Sequence, residues 1–368
     1  MTAVLPVLRD RIQATTFVDT HEHLVEEATR LARPGNARFG PCDDFALLFN
    51  NYARDDLSSA GMPGSELSRF LSPTLEPAEK WRLVEPYWRL CRHTGYVQAV
   101  TIAAEQLFDH RDWSPLGVER LSEQLRAHVQ PGFYRQVLAR AGVECCHVDS
   151  REDPLFGETQ QPDLLRQDLR LIFLSTDLDV EMGRQRSSLP ADTLADWHRI
   201  LDWAFAAYGP RAVAVKSTAA YHRRLNFDAV PAEAAAPLFA RHLAGETLAP
   251  TERKALEDHL LRECLKRAEE HHLPVKLHCG YYVGTGRMPL ERVRQNAADL
   301  CPLLADFPNV RFVLMHIGYP YQDEYIALAK HYPNVWVDLC WAWIINPAAG
   351  VRFVKEFLLA APANKLLT

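Results

Sequence analysis

Short apolar runs recur along this chain with helix-like stretches between them, and that alternation leaves few folds open. Seven runs stand out: 15–20 (TTFVDT), 142–148 (GVECCHV), 169–176 (LRLIFLST), 211–217 (RAVAVKS), 274–280 (PVKLHCG), 310–316 (VRFVLMH) and 335–341 (VWVDLCW). Strands that are apolar on nearly every residue suit a sheet covered on both faces. Helical spacing marks the intervals. Leu194, Trp197, Leu201 and Phe205 share one face of 193–208, and Leu256, Leu260, Cys264, Leu265 and Ala268 one face of 251–271. Further helices are expected over 289–304, 324–331 and 346–359. Strand alternating with helix implies parallel βα units.

Residues 363–368 (ANKLLT) read as the opening of an eighth strand. The expected fold is therefore an α/β (β/α)8 barrel, one domain over 1–368, with strand eight incomplete at the C-terminus. Two segments interrupt the repeat. Residues from about 30 to 140 are largely helical, and 221–250 follow the fourth strand. Both leave from strand C-terminal ends, where barrel enzymes build their sites, so both are expected to act as lids or pocket walls. For the first, a helical subdomain with no catalytic part is the competing reading.

Composition narrows the class of function. With 48% hydrophobic and 24% charged residues the chain is an ordinary globular one. A formal charge of −6 argues against nucleic acid or an anionic membrane as the main partner. No apolar run approaches the roughly 18 residues that span a bilayer. Pro6 breaks the short apolar N-terminal stretch, which also lacks a basic n-region, so no secretory signal is expected. The eight cysteines form no CxxC pair, which fits reduced, buried thiols in a cytoplasmic protein.

Chemistry concentrates at strand ends. Asp19-Thr20-His21-Glu22-His23 closes the first run, and residues two apart in a strand share a face. His21 and His23 should point inward together, as two arms of a metal site, with Glu22 turned away. His278 ends the fifth run and His316 the sixth. Any one of these alone would pass as a core histidine; three strands ending in histidine favour a metal. Lys216 ends the fourth run, where a bare buried ammonium is costly unless paired or neutral. It is either a carbamate formed with carbon dioxide or an ordinary lysine facing substrate or Asp338. Lys276 lies deeper on the face of His278, as a structural ion-pair partner.

These motifs resemble the amidohydrolase superfamily. DTHEH (19–23), VKLHCGYY (275–282), VLMHIGYP (313–320) and NVWVDLCW (334–341) carry the resemblance, and the second half is most similar to the amidohydrolase-related branch of metal-dependent TIM-barrel hydrolases. The resemblance implies that His21 and His23 bind a first metal and that Lys216 bridges two. It implies that His278 and His316 bind the second metal or contact substrate, with His316 and Lys216 the catalytic candidates. The superfamily also has a strand-eight aspartate that accepts the proton of the attacking water. The residues given stop at Thr368, and Asp338, on the seventh run, does not take that place. A shortened chain is the expectation, because a barrel lacking most of one strand would expose two long parallel edges.

Tyr221, Tyr281, Tyr282, Tyr319 and Trp341 follow strand ends and are candidate pocket walls; Tyr221, Tyr281, Arg287, Tyr319 and Trp341 form the substrate-binding set. Arg223 and Arg224 are further candidate carboxylate clamps, although solvated arginines are the default. Cys279 neighbours His278 and must face the other way, so it is not a nucleophile. No GxGxxG or GxSxG is present, and the eleven other histidines fall mostly on expected helices. A divalent ion held by imidazoles, zinc above all, lowers the pKa of bound water to about 7. The expected function is metal-dependent hydrolysis of an amide, lactone or related C–N or C–O bond in a small molecule, with one or two ions. Two alternatives stand beside it. One is a mononuclear-metal decarboxylase or uronate-isomerase-like enzyme on the same barrel; the other is a non-catalytic metal-binding barrel. Substrate and oligomeric state are not legible.

Overall fold

A computed structural model describes residues 4–32 and 40–368, so part of the expected 30–140 insertion lies outside the described residues. Eight parallel strands follow one another in chain order: β1 (Phe17–Glu22), β2 (Val143–Val148), β3 (Leu165–Arg170), β4 (Ala214–Ser217), β5 (Val275–Leu277), β6 (Phe312–Leu314), β7 (Val335–Asp338) and β8 (Leu366–Leu367). Each pairs with the next, and among the described residues no ladder joins β8 to β1. The result is a nearly closed barrel with its seam between the first and last strands.

The third strand departs from expectation. The apolar run 169–176 supplies only the end of β3, whose sequence is LRQDLR. Ile172–Thr176 turns into a wide helical segment, with the Asp177 N–H donating to the Ile172 carbonyl at 2.8 Å. Hydrophobicity misplaced the strand because β3 carries Asp168 inside the barrel. There Asp168 accepts two bonds from the Lys276 ammonium at 2.9 Å, and Lys276 also donates to the Thr20 carbonyl at 2.9 Å. One buried ion pair thus ties β1, β3 and β5 together, the structural role expected of Lys276. Burial lifts the Asp168 carboxyl to about 6 even with that ammonium beside it.

The outer helices form where their apolar periodicity places them. Leu194–Tyr208 starts on a capping box in which Thr193 and Asp196 bond each other's backbone N–H groups. Pro347–Ala360 starts on Asn346, whose side chain accepts from the Ala349 N–H. Leu290–Asp306 and Gln322–His331 complete the wall behind β5, β6 and β7.

The insertion is helical from Phe45 to Arg140. Phe45, Phe49, Phe70 and Trp81 lie at the centre of its own apolar cluster, which also takes in Trp341 from the loop after β7. Of the second expected lid or pocket wall, Tyr221 reaches the mouth, 4.4 Å from His278, and the helix that follows does not. Ala232–Leu243 packs in the outer layer, where Phe239 lies 6.1 Å from the Trp197 ring. Arg223 is withdrawn from solvent against Glu257 and Asp258, and Arg224, which stays exposed, is paired with Asp299, so neither is a free clamp. All eight cysteines are unbridged. No helix among the described residues is long and apolar enough to cross a membrane.

Candidate metal centre

Four imidazoles gather at the C-terminal mouth of the barrel. His21 and His23 leave β1 where its register with β2 slips between Asp19 and Glu22, and the Asp19 carboxylate accepts the His21 N–H at 3.0 Å. Their ring centroids are 4.6 Å apart. His21 lies 5.6 Å from His316, which lies 4.7 Å from His278. His278 and His316 stand just beyond β5 and β6, on turns that close tightly. His316 and Ile317 have φ of 59° and 48°, and Gly318 follows at 61°. Gly280 (φ 77°) backs onto Gly318, where an added Cβ would come within 2.5 Å of the Gly318 carbonyl carbon.

Hydrogen bonds assign the tautomers. His278 Nε2 sits 3.0 Å from the Tyr281 carbonyl, which can only accept, so this nitrogen carries a proton. Burial, with Lys216 nearby, holds His278 at about 3, so the ring is neutral and its Nδ1 accepts from His316 Nε2 at 3.2 Å. His316, also buried and held well below its ordinary value, then accepts at Nδ1 from the Cys340 thiol, 3.0 Å away. His23 Nδ1 donates to the Asp149 carbonyl at 3.0 Å, leaving its Nε2 lone pair free of that bond. Burial brings His23 down to about 4 and pulls His21 well down, the latter with help from Lys216. The His21 Nδ1 atom is buried without a hydrogen-bond partner.

Lys216, 2% exposed, rests its ammonium against the Met315 sulfur, and burial lowers its pKa. It is not bonded to Asp338, the partner offered for it from sequence. One Asp338 oxygen accepts from the Cys340 N–H at 3.0 Å. Glu22 stands next to Asp19, and burial followed by that like charge raises it to about 8. Asp149, at the tip of β2, takes Arg170 Nε at 2.7 Å. Burial alone would raise its carboxyl, but His23 and Arg170 outweigh it and hold it low.

As the side chains stand, no group of three or more His, Cys, Asp or Glu among the described residues is arranged to hold a metal. The donor chemistry nonetheless fits one: neutral imidazoles, an orphaned ring nitrogen on His21 and a free lone pair on His23. His278 and His316 would first have to release each other.

Aromatic rings wall the mouth. Tyr221 lies 4.4 Å from His278, and Trp341 stands perpendicular to His316 at 5.3 Å. Tyr281 is 5.8 Å from Trp341 and 5.9 Å from Tyr319. Arg287 is further out, on the exposed loop lining a cavity of about 300 Å³ with Tyr221, Tyr282 and Met288. A larger cavity, about 490 Å³, opens beside β3 around Phe156 and Arg211 and includes none of the four imidazoles. Sequence reasoning missed Asp149, Arg170, Cys340 and Tyr52. The first follows an apolar run as the histidines do and was open to the same inference. Tyr52 gave no signal, yet it stacks on Trp341 at 5.0 Å and brings the insertion to the site.

One pH dependence follows from β2. Burial, then Lys276 and Arg166, holds His147 at about 3. The unfolded chain takes up that proton near 6.5 and the folded chain does not. Its contribution to stability is complete above 6.5 and is lost as pH falls toward 3. Urea unfolding between pH 7 and pH 4 should show a shallower loss in His147→Gln than in the parent; equal slopes would contradict this.

Residues 188–367 match a family model described as amidohydrolase. Over 196 residues the chain is 30% identical to the protein fluG of Emericella nidulans, covering 50% of this chain and 21% of that protein. It therefore spans about a fifth of that relative's length. The fold is similar to the uronate isomerase of Thermotoga maritima, with a TM-score of 0.71 at 14% identity over 95% of this chain and 81% of the other. It is also similar to a Lactobacillus casei protein named provisionally as a metal-dependent hydrolase, with a TM-score of 0.62 at 17% identity over 98% and 82%. Residues 188–367, the stretch that matches the amidohydrolase family model, form the second half of an eight-stranded parallel barrel.

Proposed function

We propose that this chain is a metal-dependent hydrolase acting on an amide, lactone or related C–N or C–O bond of a small molecule. The observation that carries this reading is the convergence of His21, His23, His278 and His316 at one barrel mouth, kept neutral by burial. Neutral imidazole is the ligating form, so burial prepares these rings for a cation. His21 and His23 would hold the ion, with His278, His316 and Lys216 as the remaining arms, and zinc is the ion such a set favours. When bound, the ion supplies an acidified water and a Lewis acid.

The protein's own groups do the rest. Asp149 orients His23 through its backbone carbonyl, and Cys340 orients His316 through its thiol. Tyr221, Tyr281, Tyr319 and Trp341 exclude water and present ring faces and edges to the substrate, and Arg287 stands at the outer rim as a clamp for a substrate carboxylate. Lys216, with its ammonium pKa lowered, either reacts with carbon dioxide or faces substrate as an amine.

The test pairs metal analysis of the purified chain with a panel of amides, lactones, aromatic carboxylic acids and uronic acids. Bound zinc with hydrolysis of one class supports the reading. Decarboxylation or aldose–ketose isomerisation in its place, with one ion per chain and no carbamate in the mass spectrum of the native protein, would replace it.

A further inference from the structure

A second pair of imidazoles meets outside the barrel, independent of the site above. Helices Leu194–Tyr208 and Pro250–Glu270 bring His198 against His259. Their Nε2 atoms are 3.0 Å apart, and their ring centroids 5.2 Å. His259 Nδ1 lies 2.8 Å from the Val230 carbonyl, which only accepts, so His259 carries its proton there and aims its Nε2 lone pair at His198. A histidine ligand to a metal shows the same arrangement, with one ring nitrogen anchored to a carbonyl and the other free to coordinate. His259 is buried while His198 is half-buried, so the pair opens to solvent on one edge.

Four residues after each histidine the helices carry a carboxylate, Asp202 after His198 and Glu263 after His259. Positions i and i+4 share a helix face. At present Arg267 occupies both: its Nε lies 2.9 Å from Asp202, and its Nη1 pairs with Glu263, which also takes Lys266 at 2.5 Å. The pair therefore faces two carboxylates and two cations.

We infer that His198 and His259 form an interhelical clamp for zinc. Zn–N bonds of about 2.0–2.1 Å at a tetrahedral angle set two ligand nitrogens roughly 3.3 Å apart, so the rings need to open by a few tenths of an ångström and each to tilt by roughly 35° off the line that joins the two nitrogens. On binding, His198 moves its proton from Nε2 to Nδ1, and both Nε2 lone pairs point at the ion. Among the described residues no third His, Cys, Asp or Glu is in place as the side chains stand. Water fills the remaining positions, or Asp202 or Glu263 does so on leaving Arg267. Bound zinc would join two helices of the outer layer and raise the thermal midpoint by mass action.

Calorimetric titration of zinc chloride into the 368-residue chain tests this, beside His198→Ala, His198→Gln and His21→Ala. The expected result is one class of sites weakened at least tenfold by either His198 substitution and unchanged by His21→Ala, with the part of the zinc-dependent rise in thermal midpoint that survives His21→Ala lost in the same two variants. His198→Gln keeps a side chain of similar reach at a half-buried position, so a folding defect in the alanine variant does not remove the test. Superimposable isotherms for the parent and His198→Gln would overturn the clamp.

Discussion

Replacing His23 with alanine is expected to strip the bound divalent ion and lower turnover by a factor on the order of 10³ or more. The size follows from what is lost. His23 offers a free Nε2 lone pair at the mouth, and its Nδ1 is fixed by the Asp149 carbonyl. Alanine leaves neither ligand nor orientation, and water without a metal has a pKa near 15.7 rather than about 7. His21→Ala should act in the same direction, since its buried Nδ1 has no partner other than an ion to satisfy it. Asp149→Asn should cost less, roughly 10–100-fold, because it keeps the backbone carbonyl that orients His23 and removes only the carboxylate charge 3.7 Å from His23 Nδ1. Metal content by mass spectrometry and turnover on the best substrate of the panel are the readouts. A His23→Ala variant that keeps both its metal and its rate would contradict the assignment.

The largest stability effect is expected inside the barrel. Asp168→Ala leaves the Lys276 ammonium buried with only the Thr20 carbonyl for a partner. Breaking a buried pair from one side costs about 3–5 kcal/mol, since the remaining charge is neither hydrated nor compensated. Asp168→Leu combined with Lys276→Met removes both charges and should recover much of that loss. Urea midpoints report the comparison. A single substitution within about 0.5 kcal/mol of the parent would show that the pair does not hold β1, β3 and β5 together.

Much of the barrel was legible because its strands are apolar on nearly every residue. β4 to β7 lie within the runs 211–217, 274–280, 310–316 and 335–341, and the polar residues at or near the ends of the first three, Lys216, His278 and His316, stand out. β3 was displaced for the converse reason. Its inward residues include Asp168, paired only across the barrel with Lys276, and a single sequence does not show that a distant lysine will neutralise an interior carboxylate. The four histidines were legible as a set, and Asp149 belonged to the same pattern. Cys340 was not, because its meaning comes from the His316 ring 3.0 Å away, on a turn with left-handed backbone. Nor was Tyr52, which reaches Trp341 only through the tertiary packing of the insertion. Arg223 and Arg224 looked available from their place after β4, but helix carboxylates far along the chain had already taken them.

Anomalous diffraction at the zinc edge, from crystals of the chain purified with its metal, addresses the central claim most directly. A peak bonded to the imidazoles of His21 and His23 at the barrel mouth is the predicted result. Full-occupancy metal bound elsewhere, with those two rings uncoordinated, would contradict it.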